Sequence, residues 1–205
     1  SPTIVKKRFL DNISFNKMLG VYSINDDLLT KANEKRFIKL LKRLLSTHDL
    51  IITSDYGHGL ISKTSAKLIS KYSKYLALNA QINAANIGYH SMRNYKNINC
   101  VIINENEIRQ EMRNRNDKLE TLMRRLSFKQ NIENLIVTKG AQGSILYNKK
   151  NKKTNYCSAY AKVVVDKIGA GDAMLSIVAL CLKCGFDRDL ALIIASLAAA
   201  QSVET

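Results

Sequence analysis

Short apolar runs alternate with helix-like patterns along most of this 205-residue chain. Four runs of mainly aliphatic and β-branched residues have the length of buried strands, and they lie at residues 50–53, 75–79, 100–103 and 135–137. Amphipathic segments separate consecutive runs, which is typical of repeated β-α-β units with a mostly parallel sheet. We therefore predict a three-layer, Rossmann-like α/β fold with helices on both faces of the sheet.

Further patterns refine this arrangement. Residues 31–46 form a basic amphipathic pattern, which is typical of a surface helix whose charges stay in water. The charged helical pattern at 108–126 is expected to divide into two helices near Asn116. Two β-like stretches flank a turn rich in Lys and Asn and predict a β-hairpin near 143–158.

The most informative stretch is residues 166–172, which read D-K-I-G-A-G-D. Valines at 163–165 predict a strand before it, and the apolar residues 173–180 predict a helix after it. Glycines permit a tight turn, and the first amides of a helix lack intrahelical partners, so an anion is favoured there. The carboxylate of Asp172 would repel that anion. Either it caps the helix, or it takes a proton from a hydroxyl that attacks the anion.

Polar, glycine-rich loops follow three other predicted strands. They read S-D-Y-G-H-G at 54–59, N-E-N-E at 104–107 and T-K-G-A-Q-G at 138–143. Because open α/β sheets bind ligands at the carboxyl ends of their strands, we expect these loops to share one edge of the sheet. In the first loop Asp55, Gly57 and His58 are candidate substrate-side residues, although an Asp-x-Gly loop is also typical of a simple turn.

The chain has a net charge of +15, from 32 Lys and Arg residues against 17 Asp and Glu residues. Clustered basic residues can bind nucleic acid, but here they are spread over the whole length without a nucleic-acid-binding signature. A solvated basic surface is the favoured explanation of the charge, and a small polyanion such as ATP would also benefit from the positive field. We therefore expect no specific nucleic-acid partner.

Compartment and membrane signals point to a cytoplasmic protein with no membrane partner. The first residues lack the apolar core of a signal peptide, and no apolar run reaches 18 residues. The four cysteines do not form a short-spaced disulfide framework. Cys181 and Cys184 match C-x-x-C, but they lie in a helical apolar pattern without further zinc ligands, which favours core packing over a redox or metal role.

Taken together, the motifs resemble those of the ribokinase-like (PfkB) carbohydrate kinases. The D-T-x-G-A-G-D signature of that family is matched by residues 166–172 except at Lys167. Two further motifs, N-x-x-E and T-x-G-x-x-G, are matched in the family's order by Asn104, Glu107, Thr138, Gly140 and Gly143. Each of the three motifs follows a predicted strand, which makes the resemblance specific.

The resemblance implies a kinase that uses ATP and Mg²⁺ to phosphorylate a hydroxyl of a sugar or a sugar phosphate. Asp172 would be the catalytic base, with an anion hole formed by Gly169, Ala170 and Gly171. The nucleotide would be bound by Thr138, Gly140 and Gly143, and Mg²⁺ would be oriented through water by Asn104 and Glu107. The family also allows a monovalent cation near the G-A-G-D turn and a homodimer.

Within the family, residues 54–59 look like the S-D-Y-G-K-G stretch of heptose-7-phosphate kinase, the kinase half of bifunctional ADP-heptose synthases. His58 replaces the Lys of that stretch, and residues 79–81 depart from the acidic-then-basic pattern of the heptose kinases, so the motifs do not identify the sugar.

The resemblance also implies a fragment that lacks the N-terminal sugar-binding part and stops before the end of the family fold. Residues 1–25 would be a partial lid segment, and residues 26–205 would be the nucleotide-binding core. The fragment alone could be inactive. A non-catalytic nucleotide- or sugar-binding protein on a kinase fold is the alternative function, since fold alone does not guarantee activity.

Overall fold

The computed structural model describes residues 4–12, 17–24, 27–81, 91–165 and 169–204. Two strands near the start form a separate antiparallel sheet, β1 (Val5–Leu10) and β2 (Lys17–Ser23). Six strands form the main sheet in chain order: β3 (Ile51–Asp55), β4 (Leu76–Ala80), β5 (Ile98–Asn104), β6 (Ile132–Thr138), β7 (Ser144–Asn148) and β8 (Thr154–Cys157). Strands β3 to β6 are parallel, and β7 and β8 are antiparallel. The predicted hairpin is confirmed, and it extends the parallel sheet.

Helices cover both faces of the main sheet, which confirms the three-layer α/β prediction. In the described ranges they are α1 (Lys31–Thr47), α2 (Lys63–Tyr72), α3 (Glu105–Met112), α4 (Leu119–Gln130), α5 (Ala170–Lys183) and α6 (Arg188–Glu204). Helices α2, α3 and α4 pack against one face, with α1 beside α2, and α5 and α6 pack against the other. The expected break near Asn116 is confirmed, because α3 ends at Met112 and α4 begins at Leu119.

The central strands are apolar on both sides because both sides are covered. In β5, Val101 and Ile103 pack towards α2, α3 and α4, whereas Cys100 and Ile102 pack towards α5 and α6. All four side chains are buried. A strand that is covered on both faces needs apolar residues at successive positions, and this is why the short apolar runs predict the central strands well.

The two-stranded sheet β1–β2, which we call the ribbon, has two different faces. Side chains alternate along a strand, so Lys6 and Arg8 project from one face and Val5, Lys7 and Phe9 from the other. All residues of β1 are exposed. The ribbon is distinct from the main sheet, and its assignment as part of a lid stays a prediction.

The prediction of a strand at residues 163–165 is wrong. The three valines are 65%, 49% and 58% exposed and belong to no strand, while the Val165 amide donates to the Val203 carbonyl at the end of α6. The preference of β-branched residues for strands reflects packing on a half-buried pleated surface. Here the run meets a helix end instead of a neighbouring strand.

Residues 82–90 and 166–168 lie outside the described ranges, and the second gap contains Lys167. After the first gap, the chain makes a short 3-10 turn at Met92–Asn94. None of the helices in the described part of the chain has the length and apolar content needed to cross a membrane.

Candidate active site

Asp172 lies in the first turn of α5, at the edge of the sheet where the parallel strands end. Gly169 is the N-cap residue and has a left-handed φ of 89°, a conformation that strains any residue with a side chain. It provides no side-chain cap, and the first intrahelical bond runs from the Ala173 amide to the Gly169 carbonyl. The preceding first-turn amides therefore have no partner within the helix.

The carboxylate of Asp172 faces two hydroxyl groups, one from the end of β3 and one from the loop that follows it. The Ser54 Oγ lies 3.3 Å from one carboxylate oxygen, and the Tyr56 hydroxyl lies 3.5 Å from the other. This geometry contradicts the capping alternative for Asp172, because Gly169 occupies the N-cap position and the carboxylate contacts side chains far away in sequence. Tyr56 remains a neutral donor, because burial and the charge of Asp172 raise its pKa.

The sequence singled out the loop at 54–59 but not Ser54 or Tyr56. Ser54 and Tyr56 flank Asp55 in the sequence. Side-chain alternation at the end of β3 therefore predicts that both lie on the face opposite to Asp55. What the sequence lacks is any indication that they meet Asp172, which lies more than 110 residues later.

Asp55, predicted as a substrate-side residue, has its carboxylate inside the protein. It is 6% exposed, and its oxygens accept hydrogen bonds from the Tyr95 hydroxyl at 2.7 Å and the Gly57 amide at 2.9 Å. Gly57 has a φ of 69°, so the turn needs a residue that tolerates left-handed geometry. Burial and the neighbouring Asp55 raise the pKa of Tyr95, which keeps this hydroxyl protonated. The Asp55–Tyr95 pair therefore shapes the loop that presents Ser54 and Tyr56.

His58 lies at the outer side of the same loop. Its ring stacks on that of Tyr56, with 6.3 Å between the ring centroids and 15° between the planes. Lys6 of the ribbon reaches both residues, and its Nζ lies 3.5 Å from His58 Nε2 and 5.1 Å from the centre of the Tyr56 ring. The ribbon therefore contacts the loop that meets Asp172.

Asn104 and Glu107 form a reciprocal cap at the start of α3. The Glu107 amide donates to Asn104 Oδ1 at 2.8 Å, and the Asn104 amide donates to Glu107 Oε2 at 2.9 Å. The N-x-x-E motif thus has a structural role as a capping box. Among the described residues, no group of three His, Cys, Asp or Glu side chains could ligate a metal directly. An Mg²⁺ ion held chiefly by phosphate oxygens and water needs few protein ligands, and the role of Asn104 and Glu107 towards such an ion stays a prediction.

The predicted nucleotide stretch follows β6, next to the end of β5. Thr138 is the register partner of Asn104, so these two motifs lie side by side. Gly140 has a φ of 60°, and a Cβ there would meet no atom within 4 Å, so open space lies beside it. Gly143 differs, because a Cβ at that position would come within 2.0 Å of the Cys157 carbonyl oxygen. Gly143 is therefore required by close backbone packing, whatever ligand the loop binds.

The predicted site residues all lie at the carboxyl ends of strands or the start of α5, along one edge of the sheet. Within that edge, direct contacts join Asp172 to the end of β3 and to the loop after it. The N-x-x-E and T-x-G-x-x-G motifs lie further along, at β5 and β6. The edge thus has one part around Asp172 and a second part with open glycine-rich backbone.

Comparison with curated proteins finds low-identity relatives that are considerably longer. The chain is 27% identical over 180 residues to the bifunctional protein HldE of Campylobacter fetus, covering 86% of this chain and 36% of that protein. It is 27% identical over 145 residues to a D-beta-D-heptose 7-phosphate kinase of Bordetella bronchiseptica, covering 70% and 44%. The chain thus spans less than half the length of these relatives.

Solved structures with the same fold include ribokinases. The ribokinase of Giardia lamblia superposes with a TM-score of 0.73 at 18% identity, over 100% of this chain and 66% of that one. The Arabidopsis thaliana ribokinase complexed with ribose and ATP gives a TM-score of 0.66 at 17% identity, over 91% and 60%. At this identity, the likeness establishes the ribokinase-like fold.

A family model gives the more specific result. The model described as pfkB family carbohydrate kinase matches residues 89–205, which is more than half of the chain. The matched region contains the N-x-x-E, T-x-G-x-x-G and G-A-G-D motifs, whose described residues lie along one edge of the sheet. By this match the chain belongs to the pfkB family of carbohydrate kinases.

Proposed function

We propose that the protein transfers the terminal phosphoryl group of ATP to a hydroxyl of a sugar or a sugar phosphate. The observation that carries this proposal is the setting of Asp172. Its exposed carboxylate lies beside helix amides that attract an anion, and hydroxyl groups already contact both of its oxygens. An acceptor hydroxyl that replaces one of these contacts would be placed to give its proton to Asp172 as it attacks the phosphorus.

The start of α5 supplies the other half of this proposed chemistry. The amides of the first turn, from Gly169 to Asp172, would bind the phosphoryl group during transfer and stabilise the charge on its oxygens. Gly171 supports this role, because a Cβ there would meet nothing within 4 Å, and an anion has room to approach the backbone.

The remaining motifs are placed to bind the nucleotide. Strands in a sheet lie about 4.8 Å apart, so the end of β6 is about 14 Å from the end of β3. We propose that the polyphosphate chain runs along this edge, with Thr138 and the backbone of Gly140 and Gly143 at the nucleotide side. Asn104 and Glu107 would orient Mg²⁺ through water, and the bound ion would neutralise phosphate charge.

Asp172→Asn tests the proposal in the complete protein. Turnover should fall about 10²- to 10⁴-fold, because the amide cannot accept the proton, while ATP affinity stays close to that of the unmodified protein. Coupled kinase assays on hexoses, heptoses and their phosphates measure turnover, and calorimetry measures ATP binding. Asp49→Asn is the matched control, since Asp49 is an exposed carboxylate paired with Lys74 at the opposite end of β3. Near-normal turnover of Asp172→Asn would remove the base assignment.

The same assays separate this proposal from its alternative. A nucleotide- or sugar-binding protein without catalysis is the second candidate, because a fold alone does not guarantee activity. ATP binding without transfer to any acceptor of the panel would select that second function.

A further inference from the structure

Tyr56, one of the two hydroxyl donors to Asp172, lies beyond the last residue pair of its strand. Ser54, the other donor, belongs to β3, where the sheet register pairs it with Asn79 of β4. The register ends one residue later at Asp55, and Tyr56 follows in the loop. The sheet therefore helps to place Ser54, whereas the position of Tyr56 depends on another support.

A buried pair formed by Tyr95 and Asp55 supplies this support. The Tyr95 hydroxyl donates to one oxygen of the Asp55 carboxylate at 2.7 Å, and the Gly57 amide donates to the other oxygen at 2.9 Å. Asp55 precedes Tyr56 and Gly57 follows it, so the bond from the amide closes the turn around Tyr56. Both members of the pair are buried. A buried carboxylate needs its donors, so loss of the Tyr95 hydroxyl would disturb the turn.

The other end of the pair is anchored in the core. Tyr95 follows the short 3-10 turn, and its amide donates to the Met92 carbonyl at 2.9 Å. Ser91 and Arg93, at the same turn, both donate to the buried carboxylate of Glu111 in α3. The Tyr95 ring belongs to the buried cluster on the side of the sheet covered by α2, α3 and α4. Tyr95 is therefore held independently of the loop, and it can act as a fixed anchor for that loop.

We propose that Tyr95 is a positioning residue for Asp172: through Asp55 it fixes the turn that carries Tyr56, and the Tyr56 hydroxyl orients the Asp172 carboxylate. This inference rests on the proposed phosphoryl transfer and adds a residue to it that lies in none of the motifs. A general base must lie within hydrogen-bond reach of the proton it takes. Because a misplacement of about 1 Å can lower a rate about 100-fold, a buried contact that fixes the carboxylate plane affects turnover.

Tyr95→Phe tests the inference in the complete protein, because it removes one oxygen atom and keeps the buried ring. Turnover should fall about tenfold, since the base is still present but less well oriented. The KM for ATP should be nearly unchanged, because the proposed nucleotide motifs lie at β5 and β6. Steady-state kinase assays with an acceptor that the unmodified protein phosphorylates separate the two constants. A rise in KM with unchanged turnover would overturn the inference.

A double variant tests whether Tyr95 acts through Tyr56. Tyr56→Phe alone should also lower turnover about tenfold, because it removes the donor itself. If Tyr95 acts by placing that donor, the double variant Tyr95→Phe/Tyr56→Phe should be about as slow as either single variant. Independent effects would instead multiply to about 100-fold and would overturn the inference. A purely structural role of Tyr95 would lower stability without this dependence of turnover on Tyr56.

Tyr75→Phe is the matched control for removal of a tyrosine hydroxyl from the interior. The Tyr75 hydroxyl oxygen is also buried, but within the described ranges it has no hydrogen-bond partner. Tyr75 directly precedes β4, at the end of the sheet opposite to Asp55. The control should keep the turnover of the unmodified protein, and circular dichroism should show that all variants are folded. An equal loss of turnover in Tyr75→Phe and Tyr95→Phe would overturn the inference.

A measurement without turnover distinguishes failure of this inference from failure of the proposed function. Burial and the charge of Asp172 raise the pKa of Tyr56, so a Tyr56 that leaves this position should titrate at lower pH. The carbon-13 resonance of the Tyr56 ring, assigned by its absence in Tyr56→Phe, reports this titration. A lower Tyr56 pKa in Tyr95→Phe supports the positioning role even if no acceptor is phosphorylated, in which case the proposed transfer fails. An unchanged Tyr56 pKa overturns the inference and leaves the proposed transfer standing.

Discussion

Two helices begin at the same edge of the sheet, and their first turns are built differently. At α3, the side chains of Asn104 and Glu107 satisfy backbone amides in a capping box. At α5, the N-cap is Gly169, which has no side chain to offer. Both helix starts have unsatisfied amides and a partial positive charge. Of these two helices, α5 begins without a side-chain cap, and we propose that a bound anion takes the place of that cap.

The difference suggests a structural role for the start of α3 and, under the proposed function, a catalytic role for the start of α5. An N-cap of Asn or Asp stabilises a helix by about 1 kcal/mol and at the same time occupies its amides. A glycine at the N-cap, such as Gly169, stabilises the helix less than Asn or Asp does. Here it also permits the left-handed turn before Asp172. The start of α3 is therefore expected to control stability, and that of α5 to control turnover.

The largest effect beyond loss of Asp172 is expected for Gly169→Ala. A Cβ at Gly169 would lie 3.6 Å from Ser202 Oγ, an ordinary contact, so the cost arises from backbone strain at a φ of 89°. Relief of that strain should reorient the first-turn amides and lower turnover by about 10²-fold, since preorganised donors of this kind contribute effects of that size. Steady-state kinase assays measure the change.

Gly185→Ala is the matched control for strain, because Gly185 follows the other end of α5 with a φ of 81° and nothing within 4 Å of an added Cβ. Thermal unfolding should report a similar loss of stability in both variants, about 1–2 kcal/mol. Equal losses of turnover in the two variants would remove the special role of the α5 start.

Glu107→Gln separates the two roles predicted for the start of α3. Glutamine can replace glutamate in a capping box, so the free energy of unfolding should be unchanged. Loss of the negative charge should raise the Mg²⁺ concentration needed for half-maximal activity about tenfold. Substitutions of residues that support a metal's ligands weaken metal binding by about this factor. Glu105→Gln is the control, since Glu105 pairs with Arg109 in the same turn. An unchanged Mg²⁺ titration would leave Glu107 with its structural role alone.

The smallest effect on turnover is expected for Asn104→Ala. The variant should lower the free energy of unfolding by about 1 kcal/mol, because the cap is lost. Ser62→Ala should do the same at α2, where Ser62 accepts from the Ser65 amide. Denaturant unfolding compares the two, and assays at saturating Mg²⁺ should show turnover within about twofold of the unmodified protein. A loss of turnover like that of Gly169→Ala would break the contrast between the two helix starts.

Much of the fold could be predicted because its signals are local. Strands such as β5 are buried on both faces and therefore appear as short apolar runs. The valines at 163–165 show the limit of this signal, because a β-branched run forms a strand only where another strand is available to pair with it.

The candidate site was predictable in part. Glycine-rich loops after strands indicated that the candidate residues share one edge of the sheet, since parallel strands end together. Sequence alone could not decide whether Asp172 caps its helix, because both alternatives need the same residue at the start of α5. The structure places Gly169 at the N-cap, so Asp172 does not cap the helix. Its role as the catalytic base stays a prediction. Tyr95 carried no recognisable signal, and its bond to Asp55 crosses 40 positions.

The amino-acid sequence by itself determined the order of strands and helices, the edge of the sheet where motifs gather, and the kinase family they resemble. These properties depend on local patterns of apolar residues and turn residues. Residues that are close together in the sequence are enough to form such patterns. Only the tertiary structure decided which polar groups meet: Ser54 and Tyr56 with Asp172, Tyr95 with Asp55, and Lys6 with His58. Such contacts join residues whose separation along the chain is unrelated to their distance in space, so no local pattern encodes them.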